Sequence, residues 1–359
     1  LSSIFLDTTV GFNKIIYKSI TSKILQNIIQ LITTLALVIL GYGVLGAAWG
    51  WIAGSVIATV FGFYFMEKKV GPIIFSNVQP EYQVKKLFTF SSPLLLSGII
   101  ATAMSWADTA FLGYYMTDYD VGLYNAALPT AMLILLPHQA IGSLAISSFS
   151  ELKERNRDKV EDSLQTATYW VFSLVFPTFL ILLLFSEQVL KLLFGSNYGA
   201  AALALSILAF GYLFGASVGR VGSFLQSTGH TKYILYNNIF VLILNITLNI
   251  LLIPKYGLVG AALATSASYI ASNISMTYEV WRKEKVITIP RKMAKVVIVG
   301  IIPLVTIFVL DSIIFSTTPF WFIFPAGLAY YLLYILLFLN VLGLNQEEVK
   351  VFQRLGDIT

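Results

Sequence analysis

The sequence of 359 residues contains no cysteine and only two histidines. Without cysteine the chain forms no disulfide, uses no thiol in catalysis and builds no thiolate metal site. Two histidines are too few for a metal site made mainly of histidine. Charged residues make up only 11% of the chain, against roughly a quarter in soluble domains. The sequence therefore predicts no metal and no other cofactor, and it argues against a soluble enzyme.

Motifs for catalysis and for nucleotide binding are missing too. The chain has no glycine-rich phosphate loop, so ATP is not expected to be its direct energy source. The acidic residues between positions 151 and 162 alternate with basic ones, which is typical of a solvated helix and not of a catalytic carboxylate pair. We therefore expect no catalytic residues.

Hydrophobic residues dominate what is present, at 57% of the chain. They form apolar runs of about 20 residues, long enough to cross ~30 Å of hydrocarbon. Backbone polar groups within lipid must bond internally, so we interpret the runs as helices. The sequence predicts an all-α polytopic membrane protein with about ten transmembrane helices, at 23–41, 45–66, 92–113, 121–146, 166–186, 200–226, 232–253, 257–280, 294–311 and 319–342.

Basic residues divide unequally between alternate loops. Twenty of the 23 lysines and arginines lie in the segments 14–23, 68–86, 153–159, 282–295 and 350–354 or at position 232. The other three are Lys191, Lys255 and Arg220. The positive-inside rule places these basic loops, and both ends of the chain, in the cytoplasm. We interpret the basic loops as anchors for lipid headgroups and not as a nucleic-acid site.

One segment occurs twice. Tyr42-Gly-Val-Leu-Gly-Ala-Ala recurs as Tyr256-Gly-Leu-Val-Gly-Ala-Ala, each copy between two apolar runs. Small residues follow at every fourth position in both copies: Gly46, Gly50, Gly54 and Ala58, and then Gly260, Ala264, Ser268 and Ser272. Such rows allow helices to approach closely. Duplicated membrane helices are typical of transporters that rock two repeats about a central site.

The duplication also predicts the domain organisation. Residues 92–284 form a six-helix lobe whose last two helices match the two in residues 1–66. By symmetry we expect a complete protein of two six-helix lobes and two C-terminal helices, with about four N-terminal helices missing from this chain. Residues 67–91 are the expected cytoplasmic linker, and residues 285–359 hold the two extra helices and a cytoplasmic tail.

Several segments resemble one known family. They are Ser92–Ser97, Trp106–Gly113, Asp120–Ala127, Gln226–Lys232 and Tyr256–Thr265. In this order they are similar to the polysaccharide transporter family, which includes O-antigen flippases. That family belongs to the multidrug/oligosaccharidyl-lipid/polysaccharide exporter superfamily. The resemblance implies 12 to 14 helices in two lobes around a central cavity.

Polar residues inside predicted spans are the candidate functional residues, because they are costly in lipid. Asp108 could couple transport to a proton or to Na⁺, or it could accept structural hydrogen bonds. Arg220 could bind a pyrophosphate with its planar guanidinium or extend to cytoplasmic headgroups. The remaining candidates for a substrate cavity shared with Arg220 are His138, Gln139, Asn238, Asn245 and Asn249.

Together these features predict a flippase for a polyprenyl-(pyro)phosphate-linked oligosaccharide, working by alternating access in the cell membrane. Membrane lipids, and glycosyltransferases or a polymerase of the same route, are the expected partners. An ion-coupled multidrug antiporter of the same fold is one alternative, although Asp108 is the only carboxylate firmly inside a predicted span. A polytopic polysaccharide polymerase or ligase is the other, but the predicted outer loops are short.

Overall fold

The computed structural model describes residues 2–12, 15–71, 84–137, 157–228, 230–314 and 323–342. These residues form helices joined by short turns, with no strand among them, which confirms the predicted all-α fold. The chain divides into two compact units, Leu1–Lys86 and Leu87–Thr359. The boundary between the units falls inside the predicted linker.

The first unit is a small group of helices. Its described elements, in chain order, are α1 (Ser2–Gly11), α2 (Ile15–Ser19), a π-helix (Ile20–Leu25), α3 (Gln26–Ile39), α4 (Gly43–Phe65) and a second π-helix (Met66–Val70). The π-helices are continuous with α3 and α4, which gives the helical stretches Ile16–Ile39 and Gly43–Val70. The predicted span 45–66 lies within the second stretch, and the predicted span 23–41 extends two residues beyond the end of the first.

The second unit contains the remaining helices. They are α5 (Val84–Tyr115), α6 (Asp118–Met132), α7 (Arg157–Leu184), α8 (Ser186–Phe194), a 3₁₀-helix (Ser196–Ala201), α9 (Ala202–Val218), α10 (Val221–Ser227), α11 (Thr231–Glu284), α12 (Met293–Ile314) and α13 (Ile323–Leu342). Since α5 begins at Val84, the last part of the predicted linker is helical.

Five helical stretches of the described residues are long and apolar enough to cross a membrane. Two were given above, and the others are Val160–Leu184, Ser196–Val218 and Lys232–Glu284. The last contains two predicted spans, because α11 is two helices joined at a sharp kink at Gly257. The predicted span 121–146 lies partly outside the described residues.

The kink at Gly257 reproduces the turn before α4. Gly257 has a φ of 53°, and the corresponding glycine of the first copy, Gly43, has a φ of 50°. Side chains other than glycine rarely adopt this conformation, so the glycine of each Tyr-Gly copy permits the change of direction between the two helices that it joins. The internal duplication is therefore present in the backbone as well as in the sequence.

The rows of small residues pack against the preceding helix in both units. A Cβ added at Gly50 of α4 would lie 2.9 Å from the backbone nitrogen of Thr34 on α3. A Cβ added at Gly260 would lie 2.4 Å from the carbonyl oxygen of Leu252. The predicted close approach is thus confirmed, and it follows ridges of every fourth residue, the commonest packing of two helices.

The core of the second unit surrounds α7 and α9. Phe172 and Val175 of α7 and Leu205 and Leu208 of α9 are buried there. Tyr330 of α13 joins the same cluster, and the Oη atom of Tyr334 donates a hydrogen bond of 2.7 Å to the backbone oxygen of Ser173. The two C-terminal helices therefore pack into the core of the second unit.

Candidate functional site

Among the described residues of the second unit, one carboxylate side chain is buried between the apolar helices. Asp108 is on α5, two turns before the helix ends at Tyr115, and is only 5% exposed. A buried carboxylate is stable only where other groups bond to it. The surroundings of Asp108 therefore define the first candidate site.

Four side chains donate hydrogen bonds to this carboxylate. The Nδ2 atoms of Asn245 and Asn249 lie 3.1 and 2.7 Å from Oδ1 of Asp108. The Oη atom of Tyr124 lies 2.6 Å from Oδ2, and the hydroxyl of Thr265 also donates to Oδ2. We call these five residues the Asp108 cluster. Asp108 and the two asparagines, predicted as separate candidates, are thus brought together.

Two local features of the fold, a helix cap and a helix kink, position these donors. A capping box starts α6, in which Thr117 and Asp120 bond each other's backbone, and Tyr124 follows one turn later. The kink at Gly257 reverses α11, so that Thr265 on its second half lies opposite Asn249 on its first half. The repeated turn of the sequence thus builds the cluster.

Every contact that the structure gives to the Asp108 carboxylate comes from a neutral donor, and no ion pair of Asp108 occurs among the described residues. The Oδ1 atom of Asn249 is buried without a partner in the described part of the chain. An amide exchanges its oxygen and nitrogen by half a turn. Rotation of both amides would therefore surround a small cation with a carboxylate and neutral oxygens.

Arg220 lies apart from this cluster. The predicted span 200–226 is not one helix, because α9 ends at Val218 and α10 begins at Val221. Gly219 has a φ of 80°, and Arg220 sits in the resulting break. Its side chain is partly buried, and within the described residues its Nε atom has no hydrogen-bond partner. Arg220 therefore remains a separate candidate.

Asn238 does not join the cluster either. It is exposed, whereas its neighbour Asn237 is 5% exposed. The buried row of this helix is Asn237, Val241, Asn245, Asn249 and Ile253. This row steps by four residues, as in the commonest packing of two helices. Asn238 is left uncovered among the described residues and stays a predicted candidate outside the Asp108 cluster. His138 and Gln139 lie outside the described residues.

Two members of the cluster, Tyr124 and Thr265, were not among the predicted site residues. A signal for both was present, since Tyr124 lies in the segment Asp120–Ala127 and Thr265 ends the segment Tyr256–Thr265. Each is a hydroxyl side chain within a run of small and apolar residues, which in a membrane span needs a partner.

Comparison of the sequence with known protein families identifies the family of the chain. The sequence profile of a family described as "Polysaccharide biosynthesis protein" matches residues 6–203, more than half of the chain. The chain belongs to this family. The predicted resemblance to polysaccharide transporters is thereby confirmed.

Relatives within and around the family are named as transporters. The chain is 27% identical over 224 residues to the probable low-salt glycan biosynthesis flippase Agl15 of Haloferax volcanii, covering 62% of this chain and 46% of that protein. It is 27% identical over 219 residues to a putative O-antigen transporter of Shigella flexneri, covering 60% and 51%. The chain thus spans about half the length of these relatives.

A solved structure shares the fold. The inward closed conformation of lipid II flippase MurJ matches with a TM-score of 0.74 and 18% sequence identity, covering 94% of this chain and 70% of that one. The likeness extends over nearly all of the chain, so its helices follow the arrangement of a known polytopic transporter. The chain is a multi-pass membrane protein.

Proposed function

We propose that the chain takes part in moving a polyprenyl-(pyro)phosphate-linked oligosaccharide across the cytoplasmic membrane, for surface polysaccharide or glycan biosynthesis. The observation that carries the proposal is membership of the polysaccharide biosynthesis family, whose matched relatives include a named glycan flippase and an O-antigen transporter. The duplicated helices support a mechanism of alternating access, in which two repeats rock about a central site.

The Asp108 cluster is the proposed site of ion coupling. Its carboxylate is held only by neutral donors, so a proton or Na⁺ arriving there would neutralise a buried charge that no cationic side chain of the described residues contacts. The donors come from α5, α6 and both halves of α11. Loading the site would therefore change contacts among several helices at once, which is what coupling to a conformational change requires.

Arg220 is the proposed contact for the substrate phosphate or pyrophosphate. Its guanidinium offers donors in a planar fork that suits phosphate oxygens, and its Nε has no partner in the described structure. The break at Gly219 places it beyond the end of α9, close to the predicted cytoplasmic surface where a lipid-linked substrate would be collected.

Cells lacking the protein should accumulate the lipid-linked oligosaccharide on the cytoplasmic leaflet, and the wild-type gene should restore surface polysaccharide. Arg220→Ala should reduce this flipping by roughly 10- to 100-fold, the loss expected for one charge-assisted hydrogen bond. Arg220→Lys should restore part of the activity, because it keeps the charge and loses the fork. Surface polysaccharide and inner-leaflet substrate are measured together.

Arg282→Ala is the matched control, since Arg282 is an exposed arginine in the last turn of α11. It should flip at the wild-type rate. A fully active Arg220→Lys variant would support simple attraction to headgroups, and an active Arg220→Ala variant would remove Arg220 from the site. Normal surface polysaccharide in cells without the protein would contradict the flippase proposal itself.

The topology follows from the charge distribution, with both ends of the chain in the cytoplasm. Because the chain has no cysteine, single substitutions give a labelling site without background. Asp118→Cys and Ser196→Cys, both at exposed positions, should react with an impermeant maleimide added outside intact cells. Lys285→Cys should react only after the membrane is opened. Labelling of Lys285→Cys in intact cells would reverse the proposed orientation.

A further inference from the structure

A cavity lies in the second unit, and none of the residues of the Asp108 cluster lines it. Its volume is about 260 Å³, and it lies between α10 and the two halves of α11. Eight residues line it: the aromatic Tyr233, Tyr236 and Phe240, the polar Asn237, Ser275 and Glu279, and the apolar Leu225 and Met276. We call it the Glu279 cavity. Neither the ion-coupling site nor the Arg220 site includes any of these residues.

Two hydrogen-bond acceptors of its lining residues lack partners in the described part of the chain. Asn237 is 5% exposed, and its Nδ2 atom donates to the Oγ atom of Ser272 at 2.7 Å. Its Oδ1 atom is buried and receives no bond. The Oε2 atom of Glu279 is likewise buried without a partner. Native proteins leave few buried polar atoms unsatisfied, so two in one cavity suggest a ligand that donates hydrogen bonds.

The charges nearby favour a neutral ligand over a cationic one. The Nζ atom of Lys283 lies 5.1 Å from the centre of the Tyr233 ring, so an ammonium already occupies one face of this aromatic lining. Lys232 lies in the first turn of α11, and Arg282 lies in its last turn. A second cation entering here would meet like charges. Hydroxyl groups, in contrast, could donate to both free acceptors while an apolar ring face rests on Tyr236 or Phe240.

We propose that the Glu279 cavity binds one neutral sugar residue, which, if the proposed flippase function holds, belongs to the lipid-linked oligosaccharide. Its volume lies below the ~300–1,000 Å³ of pockets for drug-sized molecules, which suits a single sugar ring. The oxygen atoms of Asn237 and Glu279 accept hydrogen bonds from the sugar hydroxyls, and the aromatic rings pack against the C–H face of the sugar.

The position of the cavity gives the sugar a place in the transport cycle. Asn237 is the seventh residue of α11, about 9 Å from the start of the helix at 1.5 Å per residue. It precedes Asn245 of the Asp108 cluster by two turns, or about 12 Å along the same helix. The cavity is therefore near the predicted cytoplasmic end, where a sugar would be held before the ion-coupling site is engaged.

Saturation-transfer NMR on the purified protein in nanodiscs tests this site without any transport assay. The probes are the methyl glycosides of glucose, galactose, mannose and N-acetylglucosamine, with tetramethylammonium as the cationic comparison. At least one glycoside should bind, and Glu279→Met should weaken it at least about tenfold, because one hydrogen bond to a charged group is lost. Glu187→Gln, a carboxylate paired with Lys191 on α8, is the control and should bind normally.

Thermal stability separates a binding role from a structural one. Since the Oε2 atom of Glu279 has no partner in the described structure, Glu279→Met should melt at or above the wild-type temperature while losing the sugar. If Glu279→Met does not fold, Tyr236→Ala provides the measurement, because Tyr236 is 63% exposed and its truncation should leave the core intact. This variant should also weaken glycoside binding.

Three results would overturn the sugar assignment: no glycoside binds, tetramethylammonium binds in their place, or binding is unchanged in the variants. If glycoside binding depends on Glu279 but the protein does not flip substrate, the sugar assignment of the cavity is supported and the flippase proposal is rejected. If the protein flips its substrate but binds none of the glycosides, the flippase proposal is kept and the sugar assignment of the cavity is rejected.

Discussion

Replacing Asp108 with asparagine is expected to remove the ion dependence of flipping and to lower the flipping rate, while the protein still folds and inserts. Asparagine has the same shape, and the four neighbours of Asp108 can still bond to it, since two are hydroxyls and two are amides that can rotate. The negative charge is lost, and with it the group that a proton or Na⁺ neutralises. Coupling between sites amounts to about 5- to 150-fold, so we expect a loss in that range.

The measurement is flipping in proteoliposomes with and without an imposed Na⁺ or proton gradient. The wild-type rate should rise with one gradient, and the Asp108→Asn rate should respond to neither. Asp118→Asn is the control, because Asp118 is exposed in the first turn of α6 and lies outside the Asp108 cluster. It should keep both its rate and its ion dependence.

A charge swap makes the test sharper. The Nδ2 atom of Asn249 lies 2.7 Å from Oδ1 of Asp108, so Asn249→Asp returns a carboxylate to almost the same point. Adding it to Asp108→Asn should recover part of the ion dependence if the charge matters and not the identity of the helix that carries it. An Asp108→Asn protein with the wild-type rate and ion response would show that Asp108 only anchors its neighbours.

Much of this architecture could be predicted from the sequence, because the signals are local or repeated. Apolar runs of membrane length predict the helices, and the repeated Tyr-Gly dipeptide predicts a turn that the structure has at both Gly43 and Gly257. Asp108, Asn245 and Asn249 could be chosen as candidates, since each is polar in a predicted span. That they meet could not be predicted, because it depends on how α5 packs against α11.

Other features depend on packing that composition does not reveal. The helix break at Gly219 is hidden in an apolar run, and the structure has a positive φ there with Thr168 packed against it. The choice between Asn237 and Asn238 is decided by the ridge that faces the small residues of α11. Glu279 was missed for a similar reason: it lies near the end of its predicted span, and only the fold shows that its carboxylate is partly enclosed.

Gly260→Ala is expected to destabilise the second unit and to weaken flipping. The added Cβ would lie 2.4 Å from the carbonyl oxygen and 2.6 Å from the carbonyl carbon of Leu252, and backbone cannot move aside as a side chain does. The two halves of α11 must therefore separate, which loosens the contact of Asn249 and Thr265 with Asp108. Overpacking of this kind costs about 1–3 kcal/mol. Unfolding of the purified protein and its flipping rate measure the two effects.

Gly122→Ala on α6 is the matched control, because nothing lies within 4 Å of its added Cβ. It should be neutral or stabilise the protein by up to about 1 kcal/mol, the gain of alanine over glycine inside a helix. Gly46→Ala at the equivalent place of the first repeat should be milder than Gly260→Ala, since its nearest contact is 2.9 Å, to the Cβ of Leu37. Equal stability of the Gly260→Ala and Gly122→Ala proteins would contradict close packing at the kink. The position of Thr265 against Asp108 would then need another structural explanation.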